Sequence, residues 1–248
     1  RPNFVFVLVD DLGRQDVGVY GSSLHETPHM DQLAADGMRF ENAYTAHPRC
    51  VPSRLATMSG RYPASYGIPG FQDRKSSKHA LPLSAVTFGE VLQEAGYETG
   101  YIGKWHLGKA GGEPLYQGFE TSIMAGASGA PPSYFLPYEV KVVDGDSKGF
   151  EPYSGGEKGE YLTDRLTDAA LRFIEEKKDG PFLLVLAHYA VHTPIQAPEE
   201  LSEKYRTKIR EQGIPEGGPR SDRDVKVDNT GQYKTVQNNA VYAGMVES

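Results

Sequence analysis

The sequence predicts an α/β fold, a layer sandwich built on a largely parallel sheet, and three observations carry that prediction. Two apolar runs, FVFVLV at Phe4–Val9 and FLLVLAHYAV at Phe182–Val191, are rich in β-branched or aromatic residues and read as strands buried on both faces. Between them, helical patterns alternate with further strand-like runs, the order of βαβ units. Polar, charged or glycine-rich residues follow each run directly, and α/β sheets place ligand sites beyond the carboxyl ends of their strands.

Phe4–Val9 closes in Asp10-Asp11-Leu12-Gly13, so it is expected to be a central parallel strand ending in a turn. Thr27-Pro28 supplies an N-cap and a proline at the first helical position, and Leu33 and Ala34 carry a short helix to Gly37. A strand is expected at Met38–Tyr44. Thr87-Phe88-Gly89-Glu90 has the capping-box spacing; Val91, Leu92 and Ala95 give one apolar face, and Gly96 stands where a C′ residue belongs. Tyr97–Gly103 reads as the next strand. Leu162, Leu166, Ala170, Phe173 and Ile174 mark an amphipathic helix that Gly180-Pro181 breaks ahead of Phe182. Residues Gly111–Gly159 and Gly213–Lys234 carry little regular signal and are expected as long surface excursions of the kind that wall a substrate site. Val236, Ala240, Val241, Tyr242 and Met245 recur at helical spacing with no stop signal before Ser248, so the chain is expected to be the N-terminal part of a longer polypeptide. Arg1-Pro2-Asn3 enters the first strand without the segments of a secretory signal, which fits either a cytosolic protein or one that has lost a leader.

Composition narrows the function classes. The chain has 248 residues, 38% of them apolar, which is core-forming material enough to exclude disorder and fibre. No apolar run approaches the roughly 18 residues of a membrane helix. The formal net charge is −7, and no Lys/Arg block is present, which excludes nucleic-acid or anionic-membrane binding by overall charge. An anionic substrate then requires a local basic pocket. The single cysteine, Cys50, cannot form an internal disulfide and leaves the compartment open.

Four constellations stand where chemistry is expected. Asp10 and Asp11 end the first strand and are hard oxygen ligands suited to Ca²⁺ or Mg²⁺; an Asp pair that only caps a turn reads the same. Cys50-Val51-Pro52-Ser53-Arg54 puts Pro52 at the expected first helical position, with Cys50 at or just before the helix N-terminus, where the helix dipole favours an anion. Arg54 lies four residues on, on the same side, and can orient an oxyanion; the plainer reading of Cys50 is a small buried hydrophobe. In Gly103-Lys104-Trp105-His106-Leu107-Gly108, continued extension would point Lys104 and His106 to one side and Trp105 away; a solvated lysine and a surface histidine are the alternative. His192 of His192-Thr193-Pro194 closes the other apolar strand. His188 reads as a satisfied core histidine, and His25, His29, His47 and His79 as structural or surface residues without metal-ligand spacing.

Taken together, VDDLG at Val9–Gly13, CVPSR at Cys50–Arg54 with Gly60-Arg61-Tyr62-Pro63 behind it, GYETGYIGKWHLG at Gly96–Gly108 and HTP at His192 closely resemble the formylglycine-dependent type I sulfatases. CxPSR followed by GKWHLG at this separation is highly specific, and the motifs run in order across nearly the whole chain. Thr57 and Ser59 depart from the family's more usual aliphatic residue and Thr, which bears on recognition by the maturation enzyme but leaves Cys50, Pro52 and Arg54 intact.

The resemblance implies an alkaline-phosphatase-like three-layer sandwich with helices on both faces of the sheet. Residues 1–248 would be the N-terminal portion of the catalytic domain, with the rest of that domain and a smaller C-terminal domain outside this chain. It implies that Cys50 becomes formylglycine, through a formylglycine-generating or anaerobic sulfatase-maturating enzyme. A thiolate would trap the sulfuryl group, whereas a hydrated aldehyde offers two hydroxyls, one to attack sulfur and one to expel sulfate. By the same resemblance Asp10 and Asp11 supply part of a Ca²⁺ site (Mg²⁺ as the alternative) that the residue-50 side chain also joins. Arg54 and Lys104 steady the nucleophile and the sulfate charge, His106 is the base for the second hydroxyl, and His192 protonates the leaving alcohol. The expected substrate is a sulfated glycan or small molecule, met in the periplasm or outside the cell. A phosphodiester or phosphonate monoester hydrolase of the same superfamily, and a sulfated-glycan binder with unconverted Cys50, are the competing readings.

Overall fold

Strand β4 (Phe182–His188) is the apolar run that the fold buries along its whole length: all seven residues are buried. It belongs to a computed structural model that describes residues 1–67, 81–108, 111–138, 156–217, 225–228 and 231–248. The chain divides into two units, Arg1–Asp10 with Asn42–Tyr189, and Asp11–Glu41 with Ala190–Ser248.

In the first unit, β1 (Phe4–Val9), β2 (Glu98–Gly103) and β3 (Thr121–Ile123) join β4 in a parallel sheet of order β1-β4-β2-β3 among the described residues. Val9 lies opposite His188, and Gly103 opposite Ala187. This register makes Asp10 and Lys104 leave the sheet at the same end, on either side of β4. One face of β4, through Leu183, Val185 and Ala187, packs with Tyr101, Trp105 and Phe119 and with Leu55 and Met58 of α2 (Cys50–Ser59). On the other face, Phe173 of α4 (Leu162–Lys177) sits so close to Gly100 that a Cβ there would stand 2.6 Å from its ring. Helices therefore pack on both faces of the sheet at β2 and β4, as an α/β layer fold requires.

Helix α3 (Phe88–Glu94) has the predicted capping box. Thr87 Oγ1 accepts from Glu90 N at 3.1 Å, and the Glu90 carboxylate accepts from Thr87 N at 2.7 Å. Gly96 takes the left-handed conformation (φ 78°) after the helix, and Tyr97 N closes back on Leu92 O.

The second unit contains α1 (Pro28–Asp36), α5 (Glu199–Glu211), a hairpin of β5 (Val225–Asp228) and β6 (Gly231–Lys234), and α6 (Ala240–Glu247). Tyr205 and Ile209 of α5 share a core with Leu24, Ala240 and Ala243, and Gly244 lets α6 approach Ala197 and Leu201 closely. Thr27 precedes α1 as predicted. Its hydroxyl caps no helical N–H, however: it accepts from Gly18 N at 2.8 Å and donates to Asp31 at 3.1 Å. No helix among the described residues is long and apolar enough to cross a membrane.

Four expectations are corrected. Within these 248 residues the first strand is not central: β1 pairs only with β4 among the described strands, and Phe4–Val7 are 40–54% exposed. An uninterrupted apolar run signals suitability for two buried faces but carries no information on sheet order. Met38–Tyr44 forms no strand, because strand character needs a partner and none of the described segments pairs with it. Gly111–Gly159 is not all surface: β3 extends the sheet, and Phe119 and Tyr134 are buried. Three strand residues are too few for periodicity to register. The other excursion, Gly213–Lys234, holds the β5–β6 hairpin. Helix α5 has no counterpart among the predicted elements, since charged residues dominate it and only Ser202, Tyr205 and Ile209 are buried.

Candidate active site

The nucleophile candidate sits at a helix start. Arg49 is the N-cap of α2 in extended conformation, Cys50 is the first helical residue, and Ser53 N makes the first helical bond to Arg49 O at 3.0 Å. Pro52 is therefore third in the helix rather than first, as expected from sequence. The shift costs no hydrogen bond, because first-turn N–H groups have no intrahelical acceptor. Cys50 is a free, half-buried thiol, and Arg54 one turn later is buried. Thr57 and Ser59 bond back to the carbonyls of Ser53 and Leu55 at 3.0 and 2.8 Å, so both departures from the family pattern are satisfied inside α2.

Arg54 meets the ends of two strands. Its Nη2 donates to Asp10 Oδ1 at 2.9 Å, and its Nη1 donates to Lys104 O at 2.5 Å. Lys104, wholly buried, turns its Nζ onto Asp10 Oδ2. Burial by itself pushes the Asp10 carboxyl up, but the charges and hydrogen bonds of Lys104 and Arg54 outweigh it and hold the group below the ordinary carboxylate range. Burial likewise works against the Arg54 cation, and Tyr101, Asp10 and Cys50 reverse it, so the guanidinium stays charged. Two buried cations thus share one carboxylate, leaving local positive charge beside the start of α2. Arg54 Nε–H, also buried, has no acceptor among the described residues. An unmade bond from a buried charged donor costs free energy unless a ligand or a modified side chain supplies the acceptor.

The turn after β2 is held by its glycines. Gly103 has φ 97°, and a Cβ there would stand 2.1 Å from Ala187 O. Lys104 N then donates to Ala187 O at 2.7 Å, which ties the turn to β4. The expected extended continuation does not occur: Gly103, His106 and Gly108 all have positive φ, and strand alternation gives no guide to where Lys104 and His106 point. Lys104 reaches Asp10 because of the turn. The His106 ring packs against Gly129, where a Cβ would meet it at 2.3 Å. Trp105 is buried and donates to Gly112 O at 2.7 Å.

In the second unit, His192 Nε2 lies 3.7 Å from Asp11 Oδ2 and its Nδ1 lies 2.9 Å from Thr193 O. His192 stands four residues beyond β4, which ends at His188, instead of closing the strand as expected. Asp11 takes φ 60°, an uncommon conformation for a residue with a Cβ, and its carboxylate is exposed. The geometry thus brings together Asp10, Cys50, Arg54 and Lys104 in one unit and Asp11 with His192 in the other.

Among the remaining histidines, His25 is buried with Nδ1 3.1 Å from Asp16 O, and His47 accepts from Arg49 N at 3.0 Å. His29 is exposed, and His79 lies outside the described residues. His188 is buried as expected but is not satisfied: its Nδ1 has no partner among the described residues, and burial pushes its pKa down to about 4. Sequence reasoning missed Tyr101, whose hydroxyl donates to Lys104 O at 2.6 Å. The available signal was a phenol inside a strand otherwise suited to complete burial, since a buried hydroxyl requires a partner.

The family described as Sulfatase matches residues 2–248. The chain belongs to the sulfatase family. It is 34% identical to mouse (Mus musculus) arylsulfatase J over 221 residues, covering 84% of this chain and 36% of that protein. It is also 34% identical to N-acetylgalactosamine-6-sulfatase of Rattus norvegicus over 238 residues, covering 85% and 44%. The solved structure of Ps i-CgsB with k-i-k-neocarrahexaose superposes with a TM-score of 0.70 at 30% identity, over 99% of this chain and 52% of that one. A structure holding its substrate D-glucosamine-2-N,6-O-disulfate gives 0.65 at 31% identity, over 93% and 44%. This sulfatase-family chain therefore spans about half or less of the length of the relatives it matches.

Proposed function

We propose that these 248 residues are the N-terminal portion of a sulfatase catalytic domain, and that the protein hydrolyses sulfate esters of a carbohydrate or an aryl alcohol. The observation that carries this reading is the buried pair Arg54 and Lys104 on the single carboxylate of Asp10, with Arg54 Nε–H left for an acceptor one helical turn from Cys50. That arrangement supplies the local basic pocket an overall acidic chain needs for an anion. The neocarrahexaose and the D-glucosamine-2-N,6-O-disulfate held by two solved relatives support a sulfated glycan as substrate. We propose a periplasmic or extracellular site of action, where such glycans are met.

Cys50, converted to formylglycine by a maturation enzyme, would carry the hydrated aldehyde. One hydroxyl gives its proton to solvent as its oxygen bonds sulfur, the bond from sulfur to the alcohol oxygen breaks, and His192 gives that oxygen its proton. His106 takes the proton of the second hydroxyl; the electron pair forms the aldehyde C=O as the bond from carbon to the sulfate oxygen breaks, and sulfate leaves. Arg54 and Lys104 balance the charge carried by the sulfate oxygens. Asp10 and Asp11 fit a hard cation, Ca²⁺ or Mg²⁺: both are carboxylates, Asp10 is kept ionised, and each Asp10 oxygen keeps a lone pair beyond its bond to Arg54 or Lys104. Such an ion would neutralise sulfate oxygens and lower the cost of deprotonating the nucleophile.

The test is sulfate release from an aryl sulfate and a panel of sulfated sugars by the full-length, matured protein, beside Cys50→Ala. Mass spectrometry of the peptide containing position 50 should read formylglycine in the wild type. Release by the wild type and none by the variant, at unchanged melting temperature, is the expected result. Equal turnover in Cys50→Ala, an unmodified thiol in protein made with a competent maturation enzyme, or a strong preference for phosphodiesters would overturn it.

A further inference from the structure

The Arg54 guanidinium presents its five donors in one rigid plane, so fixing two edges aims the third. Nη2 is fixed on Asp10. Nη1 lies between two acceptors, Lys104 O at 2.5 Å and the Tyr101 hydroxyl at 3.4 Å. The hydroxyl gives its own proton to the same Lys104 carbonyl at 2.6 Å, so it turns lone pairs, not a proton, toward Arg54. Burial pushes the Tyr101 pKa up to about 12, which keeps that proton in place through the working pH range. Its ring is held edge-on by Trp105 and Phe119, with centroids 4.9 and 5.2 Å away. The phenol oxygen is thus a fixed point in a fully buried wall.

We infer that Tyr101 is a positioning residue for the sulfate-ester reaction: it braces Nη1 of Arg54 and the Lys104 carbonyl, so that the Nε–H, which has no acceptor among the described residues, is held in a fixed direction to meet the modified residue 50 or the sulfate. This rests on the sulfatase reading above. Tyr101 touches no reacting atom; it acts through Arg54, and it has no role as a base. The phenol also binds two consecutive parts of the site into one body, because the carbonyl it holds belongs to the residue whose ammonium holds Asp10. Without it, Nη1 keeps its bond to Lys104 O, but that carbonyl loses the hydroxyl that fixes it, so the guanidinium plane and the Nε–H direction loosen even though every charge remains.

The experiment compares full-length, matured wild type, Tyr101→Phe, Arg54→Lys and the double variant. It reads kcat and KM on one sulfate ester and the binding of inorganic sulfate by calorimetry. Phenylalanine keeps the ring and removes the brace, so kcat should fall about 3–10-fold, the size of a lost neutral hydrogen bond, while KM moves by no more than about 2-fold. In the Arg54→Lys background, where no planar fork is left to aim, adding Tyr101→Phe should change kcat and sulfate binding by less than about 2-fold. Wild-type kcat in Tyr101→Phe, or the full loss repeated in the Arg54→Lys background, overturns the inference. A wild type that turns over no sulfate ester sinks the sulfatase reading instead, and the coupling between Tyr101 and Arg54 is then decided by inorganic sulfate binding alone.

Discussion

Replacing Asp10 by Asn removes one charge from a site that holds two buried cations. The side chain keeps its shape, and the amide oxygen can still accept from Arg54 or Lys104, but its NH₂ would face the other cation. Lys104 is wholly buried and Arg54 almost so, and too little water reaches them to replace the lost anion. Breaking a buried ion pair from one side costs about 3–5 kcal/mol, and the surviving acceptor places Asp10→Asn near the lower end, about 3 kcal/mol. In a domain of about 150–250 residues each kcal/mol moves the melting temperature by about 2–4 °C, and by less in a longer one, so a fall of up to about 6–12 °C is expected by calorimetry of the full-length protein at pH 7. The pH dependence has a definite sign. The Asp10 carboxyl is held below its unfolded value, so its stabilisation is complete above that value, near 3.8, and disappears as pH falls through the lower folded one. The gap between wild type and Asp10→Asn should therefore be constant from neutral pH to about pH 5 and narrow in stronger acid. A variant melting within 2 °C of wild type at neutral pH would refute the reasoning, because the cations would then not depend on this carboxylate.

Two further outcomes follow from the same kind of accounting. His188 is buried with its pKa at about 4, so between that value and its unfolded pKa near 6.5 the unfolded chain binds the extra proton and stability falls as pH is lowered. Urea unfolding at pH 7.5 and pH 5 should show wild type losing up to about 2 kcal/mol more than His188→Leu; parallel losses would refute the assignment. Gly103→Ala would force a Cβ to 2.1 Å from Ala187 O at φ 97°, so β2 or its turn must shift. Loss of near-ultraviolet circular dichroism from the Tyr101–Trp105 cluster, or insoluble protein, is expected, and a native-like spectrum with unchanged stability would contradict the geometry.

Much of the local structure was legible because it is encoded locally. Thr87 and Glu90 specify the start of α3 by three-residue spacing, and Gly96 specifies its end by tolerating positive φ. Leu162, Leu166, Ala170 and Phe173 bury themselves on α4 at the predicted spacing. Features that depend on a partner elsewhere in the chain were not legible. β1 and β4 have equally apolar sequences, yet β4 takes the interior position because β1 and β2 pair with its two edges. His188 lies in an apolar run as a core residue would, but no pattern in that run tells whether its ring nitrogen finds a partner.

The site divides in the same way. Sequence by itself determined which residue types stand at strand ends and at the start of α2: Asp10, Asp11, Cys50, Arg54, Lys104, His106 and His192, together with the family to which they belong. Only the tertiary structure decided that Lys104 folds onto Asp10, that Arg54 bridges two strand ends, and that Tyr101 joins them. Those contacts span 94, 44 and 47 residues of chain and depend on sheet register and on a glycine turn with positive φ. Spacing along a chain records which face a residue shows to its neighbours, whereas the partner it meets across the core is set by the pairing of whole strands.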